Sequence, residues 1–247
     1  MASIQTARRV AALSDVHGNA VAVEAVLAEV NEARPDLVVF GGDLTWGPLP
    51  EQTLEVVEGL EIPARFVAGN AERALLEPAE EPTPRSEWML AKHSSDALAF
   101  LATFERTISA EVEGLGPTCF CHGSPRSDEE LVTPRTPAKR MRALTGGISE
   151  RVLVTAHTHM QFDRHVAGIR SINAGSVGMP YEDRPGAYWA LLGPEVELRC
   201  TEYPLEAAVA AYRETGDSLT EEMIELLEKP PSQGVIIAQA EELEFSG

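Results

Sequence analysis

Aspartate, asparagine and histidine side chains recur in this sequence directly after short apolar runs. Their positions are Asp15, His17, Asp43, Asn70, His122, His157 and His159. Carboxylate and amide oxygens mixed with imidazole nitrogens suit Mn²⁺, Fe²⁺, Zn²⁺ or Ni²⁺, whereas Mg²⁺ rarely takes several histidines. Each motif alone has a simpler explanation, because helix N-caps and tight turns use the same residue types. Together they predict a site for divalent cations, with Mn²⁺ favoured.

The expected chemistry is hydrolysis at phosphorus by a pair of cations. Two ions roughly 3.5–4 Å apart would generate hydroxide near neutral pH and clamp a phosphoryl group for in-line attack. We expect Asp43 to bridge them, because its strand is expected to lie centrally in the sheet. Asp15 and His17 are two residues apart, so in extended backbone both point to one side. The same spacing predicts that His157 and His159 converge.

The segments around the first motifs predict a mostly parallel sheet. Residues 10–13, 37–40 and 64–68 are apolar runs typical of strands, and residues 20–30 and 51–60 between them have the spacing of helices. This alternation indicates parallel strands, whose carboxyl ends form the edge where α/β proteins build their sites. Four of the six histidines fall at such ends, which favours a site over coincidence. For the other two, His93 and His165, a structural or surface role is favoured.

The rest of the chain predicts further strands and a helical end. Residues 77–85 contain three prolines and indicate a loop or a mobile lid, and residues 88–104 indicate a helix. Strands are predicted at 118–122, 151–155, 161–166, 187–192 and 195–202, with helices at 137–144 and, interrupted near Gly216, at 205–227. We expect one domain over residues 1–247, with a core at about 8–203 and C-terminal helices and a tail at 204–247.

Composition restricts the expected partners and compartment. A net charge of −19 repels polyanions, so we expect a small phosphorylated substrate and no nucleic acid. Three cysteines in 247 residues do not form a disulfide framework. No run approaches the roughly 20 apolar residues of a membrane span, and no signal sequence is evident. We therefore expect a cytoplasmic protein without a membrane partner, whose oligomeric state stays open.

The ordered motifs Asp-x-His, Gly-Asp, Gly-Asn, His-Gly and His-Thr-His resemble those of the calcineurin-like metallophosphoesterase superfamily. The likeness extends over about residues 10–192 and includes an Asn-x-Gly-Ser turn at 173–176. It implies a four-layer α/β/β/α sandwich of two mixed sheets flanked by helices. It also implies one metal ion on Asp15, His17, Asp43 and His159 and another on Asp43, Asn70, His122 and His157. Asn70 and His122 are also candidates for a direct catalytic role, and Arg73 is one for substrate binding.

The third motif departs from the family pattern. The family commonly has Gly-Asn-His-Asp or Gly-Asn-His-Glu, whose histidine is thought to protonate the leaving oxygen, whereas residues 69–72 read Gly-Asn-Ala-Glu. General acid–base help is typically worth 10²–10⁴-fold, so its absence weighs most on poor leaving groups. This favours a phosphodiesterase acting on a small phosphodiester or nucleotide. Glu72, Arg73 and His93 are candidates for the missing role, although a surface or loop role is favoured for each.

Other functions stay open. A phosphomonoesterase or a dinucleoside polyphosphate hydrolase would use the same metal site. A non-catalytic scaffold is disfavoured, because degenerate members usually lose ligands and this chain keeps all seven. Residues 42–47 lack the Asp-Arg-Gly ending of the protein phosphatases, which disfavours a phosphoprotein substrate. Ala156 replaces the glycine that usually precedes His157, which requires negative φ there.

Overall fold

The computed structural model describes residues 5–77 and 79–243. The strands in these ranges are β1 (Gln5–Ala7), β2 (Val10–Leu13), β3 (Leu37–Phe40), β4 (Ala64–Phe66), β5 (Thr107–Val112), β6 (Gly116–Cys121), β7 (Val152–Thr155), β8 (Gln161–Val166), β9 (Ile169–Ala174), β10 (Ala187–Leu192) and β11 (Val196–Thr201). The helices are α1 (Ala20–Ala33), α2 (Pro50–Glu58), α3 (Asn70–Leu76), α4 (Pro84–Ala91), α5 (Ser95–Leu101), α6 (Ala138–Thr145), α7 (Leu205–Arg213), α8 (Thr220–Glu228) and α9 (Gln233–Glu242). The order β2-α1-β3-α2-β4 confirms the predicted β-α-β-α-β start.

The strands form two mixed sheets. One has the order β1-β5-β6-β7-β9-β8 and the other the order β11-β10-β2-β3-β4. Strands β2, β3 and β4 are parallel, as are β6, β7 and β9, so each set brings its carboxyl ends to one edge. The prediction that the strand before Asp43 lies centrally is wrong. Strand β2 occupies the centre of its sheet, and β3 lies one place from the edge.

Alternate residues along β2 face two different cores. Val10 and Ala12 are buried between the two sheets. Ala11 and Leu13 face the other way and pack with buried residues of α1 and α2. On the outer side of the six-stranded sheet, Cys119 packs with residues of α6 and α9. Helices therefore cover both outer faces, which confirms the predicted α/β/β/α sandwich.

Several predicted elements need correction. The single helix predicted over residues 88–104 is wrong, because the chain forms α4 and α5 with a break between them. The Oγ of Ser94 accepts a hydrogen bond from the backbone N of Ala97 at 3.1 Å and so begins a new helix. The predicted lid at 77–85 overlaps the first turn of α4, and Pro78 lies outside the described residues. The sequence interpretation also lacked β1, β5, β9, α3 and α9.

Helices α7 and α8 pack beside the start of α1. Tyr212 and Met223 are buried in an apolar cluster with Ala20 and Leu49. The break between the two helices confirms the predicted interruption near Gly216, whose φ of 75° suits glycine. Within residues 5–77 and 79–243, no helix is long and apolar enough to cross a membrane. The single domain with a core at about 8–203 stays a prediction.

Candidate metal centre

Two groups of side chains meet at the carboxyl ends of the parallel strands, and all are buried except the half-buried His157. The first group is Asp15, His17 and His159, the second is Asp43, His122 and His157, and the ligand atoms within each lie within 4.8 Å of one another. Asn70 adjoins the second group, with its Oδ1 3.0 Å from Nε2 of His122. The structure therefore brings all seven predicted ligands together, from the segments that follow β2, β3, β4, β6 and β7.

Asp43 lies between the two groups. One carboxylate oxygen is 3.5 Å from Nε2 of His122, and the other is 3.7 Å from Nε2 of His17. Strand β3 runs between β2, which precedes Asp15 and His17, and β4, which precedes Asn70. The intermediate place of β3, rather than a central one, therefore puts Asp43 between the two groups, where the predicted bridging carboxylate would lie.

The backbone at five of the seven predicted ligands is left-handed rather than extended. The φ angles are 52° at Asp15, 48° at His17, 54° at Asp43, 65° at His157 and 56° at His159. The prediction of extended backbone at Asp15 and His17 is wrong. The predicted convergence of His157 with His159 is also wrong, because they belong to different groups. Such conformations cost of order 1–3 kcal/mol each and concentrate at functional sites.

Ala156, which precedes His157, avoids the positive φ that the sequence analysis excludes for an alanine. Among the described residues other than glycine, positive φ occurs at seven positions, and Ala156 is not one of them. The amide of Asn173 donates to the carbonyl of Ala156 at 2.9 Å, and the hydroxyl of Ser176 donates to the carbonyl of Asp15 at 2.7 Å. The predicted Asn-x-Gly-Ser turn therefore forms hydrogen bonds with the backbone at or next to one predicted ligand of each group.

Backbone carbonyls fix the rings of three histidines. The pairs are Nδ1 of His17 with the oxygen of Trp46 at 3.0 Å, Nδ1 of His122 with Gly41 at 2.8 Å and Nδ1 of His159 with Met179 at 2.7 Å. A carbonyl oxygen only accepts, so Nδ1 carries the proton and Nε2 faces the group. These partners are backbone atoms, and no signal in the sequence identifies them.

The pKa values of the four histidines in the two groups are shifted by burial and by the nearby carboxylates. Burial, with the neighbouring imidazoles, lowers the pKa of His17 and lowers that of His157 to about 4. Burial also acts to lower the pKa of His159 and His122, but the carboxylates of the two groups outweigh it and raise both. In each group the carboxylates thus favour the charged form of one imidazole, whereas burial and the neighbouring ring disfavour it in the other. Carboxylate, amide and imidazole donors that converge away from water fit a divalent cation.

Glu72 holds the loop that carries Asp43. Its buried carboxylate accepts hydrogen bonds from the backbone N atoms of Asp43 at 2.9 Å, Leu44 at 2.8 Å and Gly69 at 2.7 Å. Burial and the carboxylate of Asp43 raise the pKa of Glu72 to about 7. Of the roles considered from the sequence, this arrangement favours the loop role over that of a proton donor.

Arg73 lines a cavity of about 410 Å³ that also reaches His122 of the second group. Its guanidinium pairs with Asp128 and Glu129, each at 2.6 Å. Substrate binding by Arg73 stays a prediction. His93 is buried, with Nδ1 2.7 Å from the carbonyl of Met89 and Nε2 2.9 Å from a threonine hydroxyl, which favours a structural role.

A cleft of about 390 Å³ opens over both ligand groups. It reaches His17 of the first group, Asp43 of the second group, and Asn70, which adjoins the second group. Its other walls are Trp46, Ala71, Ala74, Arg85, Met179, Leu219 and Met223. The side chain at position 71, where the family motif has histidine, therefore faces the space in which a substrate would lie.

Comparison with known families agrees with this geometry. The model of the calcineurin-like phosphoesterase superfamily domain matches residues 9–193. The chain belongs to the calcineurin-like phosphoesterase superfamily, whose members bind divalent metal ions. Helices α7, α8 and α9 lie beyond the matched range.

Solved structures show the same fold. A hypothetical protein, PH1004, from Pyrococcus horikoshii OT3 superposes with a TM-score of 0.80 at 17% identity, over 92% of this chain and 100% of that chain. A metallophosphoesterase from Sphaerobacter thermophilus superposes with a TM-score of 0.71 at 26% identity, over 89% and 98%. Comparison with curated proteins gives no match.

Proposed function

We propose that this chain is a phosphodiesterase that uses two divalent cations to hydrolyse a small phosphodiester or a nucleotide. The observation that carries the proposal is the position of Asp43, whose two oxygens face different ligand groups at 3.5 and 3.7 Å. Seven nitrogen and oxygen donors and no thiolate favour Mn²⁺, with Fe²⁺, Zn²⁺ or Ni²⁺ as alternatives. When bound, the two cations would supply a nucleophile from water and neutralise charge on the phosphoryl group.

The side chains have separate tasks in this proposal. The first cation would be held by Asp15, His17, Asp43 and His159, and the second by Asp43, Asn70, His122 and His157. The carbonyls behind three of the rings keep Nε2 directed at the centre without rearrangement. Asn70 and His122 are adjacent, at 3.0 Å, and are the residues we place nearest the substrate phosphate.

The preference for a diester rests on position 71. Ala71 has no ionisable group, so it cannot protonate a leaving oxygen. Among the described residues that line the cleft, His17 and Asp43 belong to the ligand groups, and Arg85 is paired with a buried carboxylate. A general acid is typically worth 10²–10⁴-fold, and its absence slows poor leaving groups most. We therefore expect the preferred substrates to be phosphodiesters with good leaving groups.

The test is turnover of a bis-aryl phosphodiester and of the matching aryl monoester by metal-stripped protein reloaded with Mn²⁺. We expect faster diester turnover, its loss on chelation, and a fall of at least about 10²-fold in Asp43→Asn, which removes the shared charge. Asp163→Asn makes the same exchange at an exposed carboxylate on β8 and should leave the rate unchanged.

Each other outcome selects a different function. Monoester turnover equal to or above diester turnover would refute the diester preference and favour a phosphomonoesterase. Turnover of dinucleoside polyphosphates alone would favour a polyphosphate hydrolase. Tight Mn²⁺ binding without turnover of any of these esters would favour a scaffold with the phosphoesterase fold.

The proposal extends to partners and compartment. A net charge of −19 disfavours nucleic acid as a partner and is compatible with a small phosphorylated substrate held by cations. Cys119, Cys121 and Cys200 are all free thiols, which supports a reducing compartment such as the cytoplasm.

A further inference from the structure

The cleft over the metal centre has an apolar wall that the proposed chemistry does not use. Its apolar members are Trp46, Ala71, Ala74, Met179, Leu219 and Met223. The same cleft reaches His17, Asp43 and Asn70. A phosphoester with its phosphorus at the metal centre therefore extends its organic group along this wall, where contacts can select among substrates.

The wall offers no free charge to a second ionic group. Among the described residues that line the cleft, Arg85 is the only lysine or arginine. Its Nη1 donates to both oxygens of Asp217, at 2.7 and 2.8 Å. The Arg85 side chain is 14% exposed and that of Asp217 is fully buried, so the charges neutralise each other away from water. An uncharged organic group fits such a wall better than a second phosphate or carboxylate.

The shape of the wall suits a flat group. Ala71 and Ala74 lie about one turn apart on α3, and their small side chains leave space in front of this part of the wall. Trp46 is half-buried, and its own carbonyl lies 3.0 Å from Nδ1 of His17. The backbone of Trp46 is thus fixed beside a predicted metal ligand. Its indole packs against the buried cluster of Leu75, Met89 and Leu101 and lines the cleft, where an aromatic ring of the substrate can stack on it.

The opposite side of the cleft comes from the C-terminal helices. Leu219 precedes α8, and Met223 lies in its first turns, buried in the cluster with Tyr212. The Arg85–Asp217 pair holds the start of this segment against α4, and Oδ1 of Asp217 also accepts from the backbone N of Leu219 at 3.0 Å. This side lies beyond residue 193, where the family match ends. The family domain alone does not define it.

We propose that this wall binds a flat, uncharged aromatic group of the substrate, such as an aryl ring or a nucleobase, and that Trp46 and Met223 determine the preference for it. The proposal rests on the phosphoesterase function proposed above. It predicts selection by the organic group attached to phosphorus, whereas the metal centre recognises the phosphoryl group common to all candidates.

Phenylphosphonate and methylphosphonate test this without turnover, because both resist hydrolysis and carry the same charged group. We expect calorimetry on Mn²⁺-loaded protein to give at least about tenfold tighter binding of phenylphosphonate. Trp46→Ala and Met223→Ala should each reduce that preference to below about threefold. Leu226→Ala is the matched control, because Leu226 is half-buried on α8 in the same cluster but does not line the cleft.

The outcomes separate this proposal from the function on which it rests. Equal binding of the two phosphonates, or a preference that survives both Trp46→Ala and Met223→Ala, overturns the aromatic wall even if diesters are hydrolysed. A preference that falls equally in Leu226→Ala also overturns it, because the effect would then come from the helix as a whole. Aromatic preference without turnover of any phosphoester leaves the wall supported and the hydrolase function refuted. No binding of either phosphonate overturns the aromatic wall, and the hydrolase function is then decided by diester turnover alone.

Discussion

Removing the charge of Asp217 should destabilise the protein strongly, because Asp217 is the buried half of an ion pair. The two oxygens of its carboxylate accept from Nη1 of Arg85 at 2.7 and 2.8 Å, and Oδ1 also accepts from the backbone N of Leu219. Exposed fractions of 14% for the Arg85 side chain and 0% for that of Asp217 leave little room for water to replace a lost partner.

The structure sets the expected magnitudes. Breaking a buried pair by removing one partner typically costs about 3–5 kcal/mol, because the other charge stays buried. Asp217→Asn keeps an oxygen for the N–H of Leu219, so we expect it to lower the free energy of unfolding by about 3–5 kcal/mol. Asp217→Ala also leaves that N–H unpaired, which adds about 1–3 kcal/mol. For a chain of this size, each kcal/mol corresponds to roughly 2–4 °C in Tm.

The assay is urea unfolding followed by circular dichroism, with metal content held constant. The double variant Arg85→Met with Asp217→Asn buries no charge, so we expect it to be more stable than either single variant. Glu197→Gln breaks a half-exposed pair with Arg199 and should change the free energy of unfolding by at most about 1 kcal/mol. The reasoning is refuted if Asp217→Asn behaves like Glu197→Gln, or if the double variant is less stable than both singles.

Three further changes have defined outcomes. Ala71→His should raise turnover of monoesters with poor leaving groups by about 10²-fold or more, measured over a series of leaving groups. Ala71→Gln cannot transfer a proton, so it should show little gain over the same series. Gly69→Ala would place a Cβ in steric clash with Oδ1 of Asp43, so we expect Mn²⁺ affinity to fall by at least about tenfold in calorimetry, and an unchanged affinity would contradict the geometry. Glu72→Ala leaves three buried N–H groups unpaired, and urea unfolding should show a loss of about 3–9 kcal/mol; a loss below about 1 kcal/mol would exclude the loop role.

The positions of the candidate ligands could be predicted because strand ends are encoded locally. Short apolar runs followed by glycine and a polar residue mark the carboxyl ends of parallel strands, and tertiary structure brings such ends together. The sequence also contains a signal for one strand that was not predicted. Residues of β5 alternate between half-buried and buried, with Ile108, Ala110 and Val112 inside, which is the pattern of a strand. The start of α3 was hidden because Gly69 and Asn70 also suit a turn.

Other features of the site depend on tertiary contacts that no local pattern specifies. The left-handed backbone at Asp15 and His17 is imposed by neighbouring segments, including the hydrogen bond from the N of His17 to the carbonyl of Asp43 at 2.9 Å. The carbonyls that orient the histidines can belong to any residue type. Helix α8 was predicted as a helix, yet its spacing does not indicate that Met223, 208 residues after Asp15, faces the cleft beside the first motif.

Each ligand group draws donors from both sheets. Asp15 and His17 follow β2 of one sheet, and His159 follows β7 of the other. A bound cation would therefore cross-link the two halves of the sandwich at their open edge, as a disulfide does in a smaller protein. A ligand that binds only the folded state adds about 4.1 kcal/mol to the free energy of unfolding when its concentration is 1,000 times its Kd. Chelation should therefore lower the stability of the protein as well as its activity. In a chelated sample, a loss of activity would therefore coincide with the loss of a link between the two sheets, so its folding must be measured alongside its rate.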